Sequence, residues 1–219
     1  MSDLKFYDLT RFFGHIRHKC AAGIMDIDVV ASEDRTFMVR MTQAPPTFTS
    51  LNLETVSRIT SGLGIDVDDR DPRCPIEVVS TGHSKILVGV KNSQVLNSLS
   101  PDLDRLSKLS SETGVNGYFV FTLRPDDTEY IAESRMFAPA VGIPEDPVTG
   151  NGNGPLGAYL VKHGFSGIRD GRFSFRALQG RRIGRPGVVK GGVEIVNGEP
   201  LNVTIGEDVV VAFSFDLSL

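Results

Sequence analysis

The chain has 219 residues, of which 40% are hydrophobic and 23% are charged, and its formal net charge is −4. This balance is typical of a folded globular protein and excludes a disordered or fibrous chain. The basic residues are scattered except around Arg181, Arg182 and Arg185. The apolar runs are far shorter than the roughly 20 residues that cross a bilayer, and the N-terminus has no secretory-signal pattern. We therefore predict no nucleic-acid partner, no membrane span and a cytoplasmic location, which the presence of only two cysteines also favours.

Three helices are predicted from apolar residues at helical spacing between capping signals. Their segments are Asn52 to Gly62, Ser100 to Gly114 and Asn153 to Gly164. The first begins at an asparagine suited to the N-cap, the second at a Ser-Pro-Asp cap, and the third at an Asn-Gly-Pro start. Each ends at a glycine, the usual residue for the end of a helix.

Short segments with a two-residue apolar period are predicted to be half-buried strands. They are Met25 to Val29, Phe37 to Met41, Ile86 to Val90, Phe173 to Phe175 and Val209 to Phe215. Short connections, such as Ser32 to Arg35 and Asn197 to Glu199, indicate hairpins in a largely antiparallel sheet rather than regular βαβ winding. The predicted fold class is α+β.

The segment from Gly142 to Gly157 is rich in glycine and proline and precedes the third helix. Without side chains at Gly150, Gly152 and Gly154, backbone N–H groups can approach a ligand, and the start of a helix attracts an anion. Asp146, at the mouth of this loop, can accept or deliver a proton. The pattern predicts a carboxylate site, although a tight loop whose glycines only turn the chain contains the same residue types.

Two nucleotide-binding interpretations of the same glycines are weaker. Gly152, Gly154 and Gly157 have the spacing of the dinucleotide fingerprint, but no buried strand precedes them and Pro155 interrupts the pattern. A phosphate-binding P-loop is excluded because no Gly-Lys-Ser/Thr sequence follows the glycines. We therefore do not predict nucleotide binding.

Histidine and cysteine pairs do not form a second candidate site. His15 and His18 are three residues apart, but no further ligands complete a metal set near them, so no metal is predicted. Cys20 lies in a basic segment and Cys74 in an Arg-Cys-Pro loop, away from the glycine-rich segment. Both cysteines are interpreted as structural or surface residues rather than as a proton-transferring pair.

The segment from Arg135 to Gly150 resembles the signature of phenazine-biosynthesis (PhzF)-type isomerases. The resemblance covers the chain from about Cys20 to its end, whereas residues 1–19 do not fit. Asn151 to Pro155 is similar to a bacterial subgroup of uncharacterised isomerases. Other matching segments are Thr81 to Lys85, Ser100 to Leu103, Asn116-Gly117, Gln179 to Arg181 and Val203 to Gly206.

This resemblance implies a diaminopimelate-epimerase-like fold, in which curved and mainly antiparallel sheets each surround a central helix. It also implies isomerisation of a small carboxylate-bearing substrate by proton transfer, without a cofactor. Asp146 would be catalytic, while Gly150, Asn151 and Gly152 would bind substrate. His83, in a turn before a strand, is a further candidate for substrate binding, or else a turn histidine with local hydrogen bonds only.

The resemblance also divides the chain. Residues 1–70 are expected to be a remnant of a first lobe, 71–205 a second lobe with the glycine-rich loop, and 206–219 a strand that returns to the first lobe. The family's proton-moving acid and its Cys-Gly-His-Ala-Thr segment belong to the first lobe, and this sequence lacks both. The chain is thus expected to be an N-terminally shortened member.

Two functions follow from this expected shortening. The chain is either an isomerase or a catalytically silent protein for ligand binding or interaction. Because Asn151 stands where the phenazine enzymes have serine, the phenazine substrate itself is not expected. An incomplete first-lobe sheet would expose strand edges and apolar surface, which predicts a homodimer or other self-association.

Overall fold

The computed structural model describes residues 13–20, 23–31, 36–124, 129–165 and 167–210. By compactness the chain divides into two units, one formed by residues 1–42 with 206–219 and the other by residues 43–205. All the buried hydrophobic residues of the described chain lie between Ile59 and Ile205, so the hydrophobic core belongs to the second unit. None of the described helices is long and apolar enough to span a membrane.

Twelve strands and four helices occur in the described residues. The strands are β1 (Phe13–Cys20), β2 (Gly23–Ala31), β3 (Thr36–Thr42), β4 (Thr47–Ser50), β5 (Glu77–Ser80), β6 (Ser84–Gly89), β7 (Tyr118–Leu123), β8 (Ala132–Ala138), β9 (Ile143–Asp146), β10 (Arg172–Gln179), β11 (Gly187–Val196) and β12 (Glu199–Val210). The helices are α1 (Leu53–Leu63), α2 (Ser93–Ser98), α3 (Leu103–Thr113) and α4 (Gly150–Lys162). The α+β class predicted from the sequence is confirmed.

The first unit is built from antiparallel strands. β1 pairs with β2, and β2 pairs with β3, both antiparallel. The residues of β12 from Gly206 onward also belong to this unit. The strands predicted around Ile27 and Val39 are therefore confirmed, whereas the predicted connection from Ser32 to Arg35 lies outside the described residues.

The second unit contains a mixed sheet with the strand order β12-β11-β10-β8-β7-β6-β5-β4. β9 is not part of this linear order and pairs with β8. The β8/β10 and β6/β7 pairs are parallel. Antiparallel pairing joins β4 to β5, β5 to β6, β7 to β8 and β10 to β11. Antiparallel pairs thus predominate, as the short predicted connections indicate.

Both faces of this sheet are covered in the middle strands, because alternate side chains of a strand point to opposite faces. Leu87 and Phe119 pack in one cluster with Leu156 of α4. Ile86 and Val88 pack in another cluster with residues of α1, α2 and α3. The prediction that the strand at Ile86 is half-buried was therefore wrong, since helices cover it on both sides.

The capping signals located the helices well but their ends less well. Asn52 caps α1 by accepting a hydrogen bond from the Thr55 N–H at 2.8 Å. The helix ends at Leu63 and is capped by Gly64 with φ 71°, not by Gly62 as predicted. Gly62 lies inside the helix, where a side chain at this position would press against Leu106.

The other two predicted helices also differ from the structure at one end. α3 is capped by Asp102 rather than Ser100, and its end at Gly114 is confirmed by a φ of 69°. α4 begins at Gly150, three residues before the predicted start, so Pro155 lies inside the helix. Helix α2 was not predicted, because its six residues are too few for a periodic pattern.

The C-terminal hairpin contains a tight turn between β11 and β12. Asn197 and Gly198 adopt positive φ values of 53° and 84°, as a two-residue Asn-Gly hairpin turn requires. The predicted hairpin is confirmed. Of the strand predicted from Val209 to Phe215, the structure includes Val209 and Val210 in β12, and residues 211–215 lie outside the described range.

Candidate active site

Asp146 is the last residue of β9 and lies just before α4. Its strand position is set by pairing with Met136 of β8. The Thr149 hydroxyl donates a hydrogen bond of 2.6 Å to Asp146 Oδ2, so the carboxylate is held against the turn that begins the helix. Asp146 is only partly buried, which leaves this carboxylate accessible to a ligand.

A fully buried side chain, Gln179 at the end of β10, holds this turn in shape. Its Nε2 donates to the Asp146 carbonyl at 2.8 Å and to Thr149 Oγ1 at 3.0 Å. Its Oε1 accepts the Thr149 N–H at 3.1 Å and Asn153 Nδ2 at 2.9 Å. The conformation between Asp146 and the first helical turn is thus set by one amide from a strand about 30 residues later.

The first turn of α4 leaves two backbone donors unused within the described residues. The N–H groups of Gly152 and Asn153 donate to the Thr149 carbonyl, each at 3.1 Å. The N–H groups of Gly150 and Asn151 have no hydrogen bond to a described residue. Such donors, at the positive end of a helix, favour an anionic ligand.

Gln43 and Thr81 attach other parts of the unit to this helix start. The Thr81 hydroxyl donates to Gln43 Oε1 at 2.6 Å, and Gln43 Nε2 donates to the Gly150 carbonyl at 3.2 Å and to Asn151 Oδ1 at 3.3 Å. Because Asn151 Oδ1 is used as an acceptor, its Nδ2 is the part of the amide left for a ligand. The groups offered by Gly150 and Asn151 are therefore all donors.

A buried lysine lies near the same carboxylate. Lys85 of β6 is 4% exposed, and the field of Asp146 acts on its charge. Burial lowers the pKa of Lys85 to about 8, while Asp146 opposes this shift. Sequence reasoning did not single out Lys85, since one lysine in an apolar strand has no local pattern that marks it as functional.

His83 is placed differently from the other predicted site residues. It is exposed in the turn before β6, and its Nδ1 lies 3.2 Å from Asn116 Nδ2. Among the described residues, it has no hydrogen bond with Asp146, Gly150, Asn151 or Gly152. The structure thus brings Asp146 together with the start of α4. It does not bring His83 there, and the hydrogen-bond contact of His83 is with Asn116 instead.

Two glycines of the predicted carboxylate site, Gly152 and Gly154, have a packing role. A Cβ at Gly152 would overlap the Phe119 ring, and a Cβ at Gly154 would overlap the Gln43 side chain. The Gly152 N–H already donates to the Thr149 carbonyl. Of the three residues predicted to bind the carboxylate through the loop, only Gly150 and Asn151 therefore have a backbone N–H left for a ligand within the described residues. The absence of side chains in α4 is therefore explained in part by its close approach to the sheet.

A separate concave region in the second unit does not include this site. It has a volume of about 390 Å³, and its lining includes Tyr130, Phe165 and Arg176. None of the predicted site residues lines it. The candidate site at the start of α4 is therefore identified by its N–H donors and the Asp146 carboxylate, and not by this cavity.

Comparison with known proteins gives consistent matches. The family described as phenazine biosynthesis-like protein matches residues 13–213. An uncharacterized isomerase of Clostridium acetobutylicum is 42% identical over 205 residues, which are 93% of this chain and 68% of that protein. The trans-2,3-dihydro-3-hydroxyanthranilate isomerase of Pseudomonas fluorescens is 34% identical over 149 residues, which are 68% of this chain and 48% of that protein.

Solved structures agree with these matches. A Bacillus anthracis phenazine biosynthesis protein of the PhzF family has a TM-score of 0.73 at 28% identity, covering 87% of this chain and 64% of that one. A probable proline racemase from Agrobacterium radiobacter has a TM-score of 0.59 at 16% identity, covering 96% of this chain and 62% of that one, a likeness of fold alone. The matched region therefore spans between 48% and 68% of these proteins' own length.

Proposed function

Since the chain belongs to the phenazine biosynthesis-like protein family, we propose that it is an isomerase that moves a proton on a small carboxylate-bearing substrate without a cofactor. The relatives named above are isomerases by name, and one of them is named for trans-2,3-dihydro-3-hydroxyanthranilate. The proposed substrate class for this chain is wider, namely small amino and hydroxy carboxylates. Asn151 stands where the phenazine enzymes have serine, and this difference supports a substrate other than the phenazine precursor.

The observation that carries this proposal is an acid beside an anion cradle. Asp146 is fixed by Thr149 and Gln179, and the unused N–H groups of Gly150 and Asn151 begin the next helix. A substrate carboxylate bound by these donors would bring its neighbouring carbon close to the Asp146 side chain. Holding the reacting groups together in this way removes much of the entropic barrier to proton transfer.

In the proposed reaction, the Asp146 carboxylate takes a proton from a carbon of the bound substrate. The C–H bond breaks, Asp146 becomes a carboxylic acid, and the electron pair moves into the conjugated system that ends at the substrate carboxylate. The N–H groups of Gly150 and Asn151 stabilise the charge that develops on the carboxylate oxygens. Return of the proton at another carbon gives the isomer, so atoms and electrons balance without an oxidant.

Solvent-deuterium incorporation tests this proposal directly. The purified chain is incubated in heavy water with a panel of small amino and hydroxy carboxylates, and mass spectrometry locates the label. We expect deuterium at a carbon position, and a rate at least about 100-fold lower in Asp146→Asn, because loss of a general acid–base group costs about 10²–10⁴-fold. Asp104→Asn, an exposed change on α3, is the matched control and should retain the rate.

The alternative function is a catalytically silent binding protein. A panel carboxylate that binds but never acquires deuterium would support it and contradict the isomerase. Exchange that persists unchanged in Asp146→Asn would instead show that another residue moves the proton.

A further inference from the structure

Lys85 is buried on the helix α4 side of the sheet. It lies in β6 two residues before Leu87, and residues two apart in a strand share a face. Leu87 packs in the cluster that contains Leu156 and Tyr159 of α4, whereas Ile86 packs in the other cluster. Lys85 is 4% exposed, so its side chain is buried, although its ammonium nitrogen is not fully enclosed by the protein.

This ammonium group has no direct partner in the described chain. Lys85 makes neither a hydrogen bond nor an ion pair with a described residue, and the charge of Asp146 acts on it only at longer range. A largely buried cation without protein acceptors is costly, because most of its hydration is lost and no protein group replaces it. Such a group is rarely kept in a core for stability alone.

The other buried cation of the second unit is compensated fully. Arg135 is 6% exposed and donates to both carboxylate oxygens of Glu145, at 2.9 and 2.7 Å. It also donates to the carbonyls of Leu96 and Leu99, at 3.1 and 3.0 Å. Lys162, which is partly exposed, pairs with Glu77 at 3.0 Å. Lys85 therefore differs from the equally buried Arg135 in lacking acceptors.

We propose that Lys85 contacts the substrate, and that its ammonium group binds an anionic oxygen of the carboxylate ligand at the Asp146 site. The proposal rests on the function proposed above and specifies which charge recognises the substrate. In the complex, the ligand's oxygen would supply the hydrogen-bond acceptor that the ammonium group lacks in the protein. It would also stabilise the negative charge that moves onto the carboxylate when Asp146 removes the neighbouring proton.

The charge state of Lys85 makes the contact pH-dependent. Burial lowers the pKa of Lys85 to about 8, and Asp146 of β9 is the one charged residue whose field acts on it within the described chain. The amine is therefore mostly protonated at pH 7 and mostly neutral at pH 9. An anion bound through it should lose affinity over this interval, which a merely structural lysine would not cause.

Binding of 3-hydroxyanthranilate, a stable aromatic amino and hydroxy carboxylate, tests the contact by titration calorimetry at pH 7 and pH 9. We expect the unmodified chain to bind more weakly at pH 9. Lys85→Met should bind at least about tenfold more weakly at pH 7 and should lose the difference between the two pH values, since a charge-assisted hydrogen bond contributes more than 1.4 kcal/mol. Lys108→Met, an exposed change on α3, should behave like the unmodified chain.

A stability measurement excludes a folding defect as the cause. If Lys85 serves the ligand, Lys85→Met should raise the melting temperature of the ligand-free chain, because the variant no longer buries an uncompensated charge. Lys85→Gln, which keeps a donor but no charge, should also lose the pH dependence. A lower melting temperature in Lys85→Met, or affinity equal to that of the unmodified chain, would overturn the proposal.

The outcomes separate the two proposals. Normal deuterium exchange and normal affinity in Lys85→Met would overturn the Lys85 contact and leave the isomerase. Affinity that depends on Lys85, without exchange in any panel carboxylate, would support the contact and contradict the isomerase. If the unmodified chain binds neither 3-hydroxyanthranilate nor a panel carboxylate, both proposals fail.

Discussion

Two buried ionisable residues, Lys85 and Cys74, respond to the same loss of hydration in opposite directions. Burial disfavours the charged form of each, so it lowers the pKa of the lysine to about 8 and raises the pKa of the thiol to about 12. The lysine becomes able to change charge near neutral pH, whereas the thiol becomes inert. Chemistry at the residue scale therefore depends on what surrounds each side chain, not on residue type alone.

The first residue-scale prediction concerns the pH dependence of stability. The folded chain releases the Lys85 proton near pH 8 and the unfolded chain near 10.5, so the unfolded state binds more protons between these values and stability rises with pH. Lys85→Met should be more stable than the unmodified chain at pH 7, by on the order of 3 kcal/mol. This advantage should shrink toward pH 10.5 in urea unfolding experiments.

The difference between the two chains is the quantity to measure. Cys74 titrates with the opposite sign in both chains, because its raised pKa makes stability fall above its ordinary value of 9.0. The subtraction removes this shared contribution. An advantage that stays constant from pH 7 to pH 10.5 would contradict the assignment to Lys85.

The second prediction is that Cys74 does not react in the folded protein. Its thiol is 5% exposed, and burial keeps it protonated well above pH 8, so the nucleophilic thiolate is scarce. Iodoacetamide at pH 8 should leave Cys74 unmodified for hours and should label it within minutes in urea. Peptide mapping by mass spectrometry distinguishes it from Cys20; labelling of folded Cys74 at the rate of a free peptide thiol would be the contrary result.

At the scale of elements, helix α4 is notable for glycines that serve packing. Gly152 lies against Phe119, Gly154 against Gln43 and Gly157 against Phe175, so the helix approaches the sheet too closely for side chains at these points. The same approach brings the first turn of the helix to Asp146 through Gln179. The packing of α4 therefore positions the candidate site.

Gly152→Ala tests this packing. Alanine is the better helix former, but its methyl group would overlap the Phe119 ring, so we expect a loss of about 1–3 kcal/mol in the free energy of unfolding. Gly167→Ala, at a position with open space around it and an ordinary φ, should change stability by less than about 0.5 kcal/mol. Chemical denaturation measures both; an equal effect of the two changes would contradict the packing explanation.

At the scale of the whole molecule, the two units differ in how much they bury. Among the first-unit residues whose side-chain burial the structure describes, none is a buried hydrophobic residue, whereas the second unit holds both core clusters. Regions with little buried apolar surface open at lower free energy. The two units should therefore differ in local stability even though a strand, β12, runs from one into the other.

Hydrogen exchange followed by mass spectrometry checks this difference. Amides of β1 and β2 should exchange at least about tenfold faster than amides of β6 and β7, although all four strands are paired. Peptides from residues 13–31 and 84–123 provide the comparison. Equal protection of the two sets would show that the chain opens as one cooperative unit.

Self-association stays a prediction of the sequence, and exposed apolar side chains in the first unit support it. Ile24 and Val30 of β2 are 58% and 39% exposed, and Val209 of β12 is 37% exposed. Apolar side chains on accessible strands favour contact with a second copy. Light scattering across a concentration series should give a mass above that of the monomer, and Ile24→Thr should shift it downward; a monomer at every concentration would contradict the prediction.

Local signals in the sequence determined much of this protein without tertiary information. The cap at Asn52, the end of α3 at Gly114 and the Asn197-Gly198 turn all depend on the conformational preferences of a few adjacent residues. The glycine-rich loop with Asp146 was visible for the same reason, since its residues are contiguous. The short connections between predicted strands likewise indicated the α+β class that the structure confirms, and the resemblance of the loop to a family indicated the more specific fold.

Only the tertiary structure decided what surrounds Asp146. Gln43 lies 107 residues before Gly150, Gln179 lies 33 residues after Asp146, and neither contact leaves a periodic or contiguous trace in the sequence. Lys85 looks like any strand residue until helix α4 covers it and its pKa falls. The packing reason for Gly152 was hidden likewise, because the clash that forbids a side chain comes from Phe119 on another element. Sequence patterns report neighbours along the chain, whereas burial, electrostatic fields and steric limits come from residues that only folding brings near.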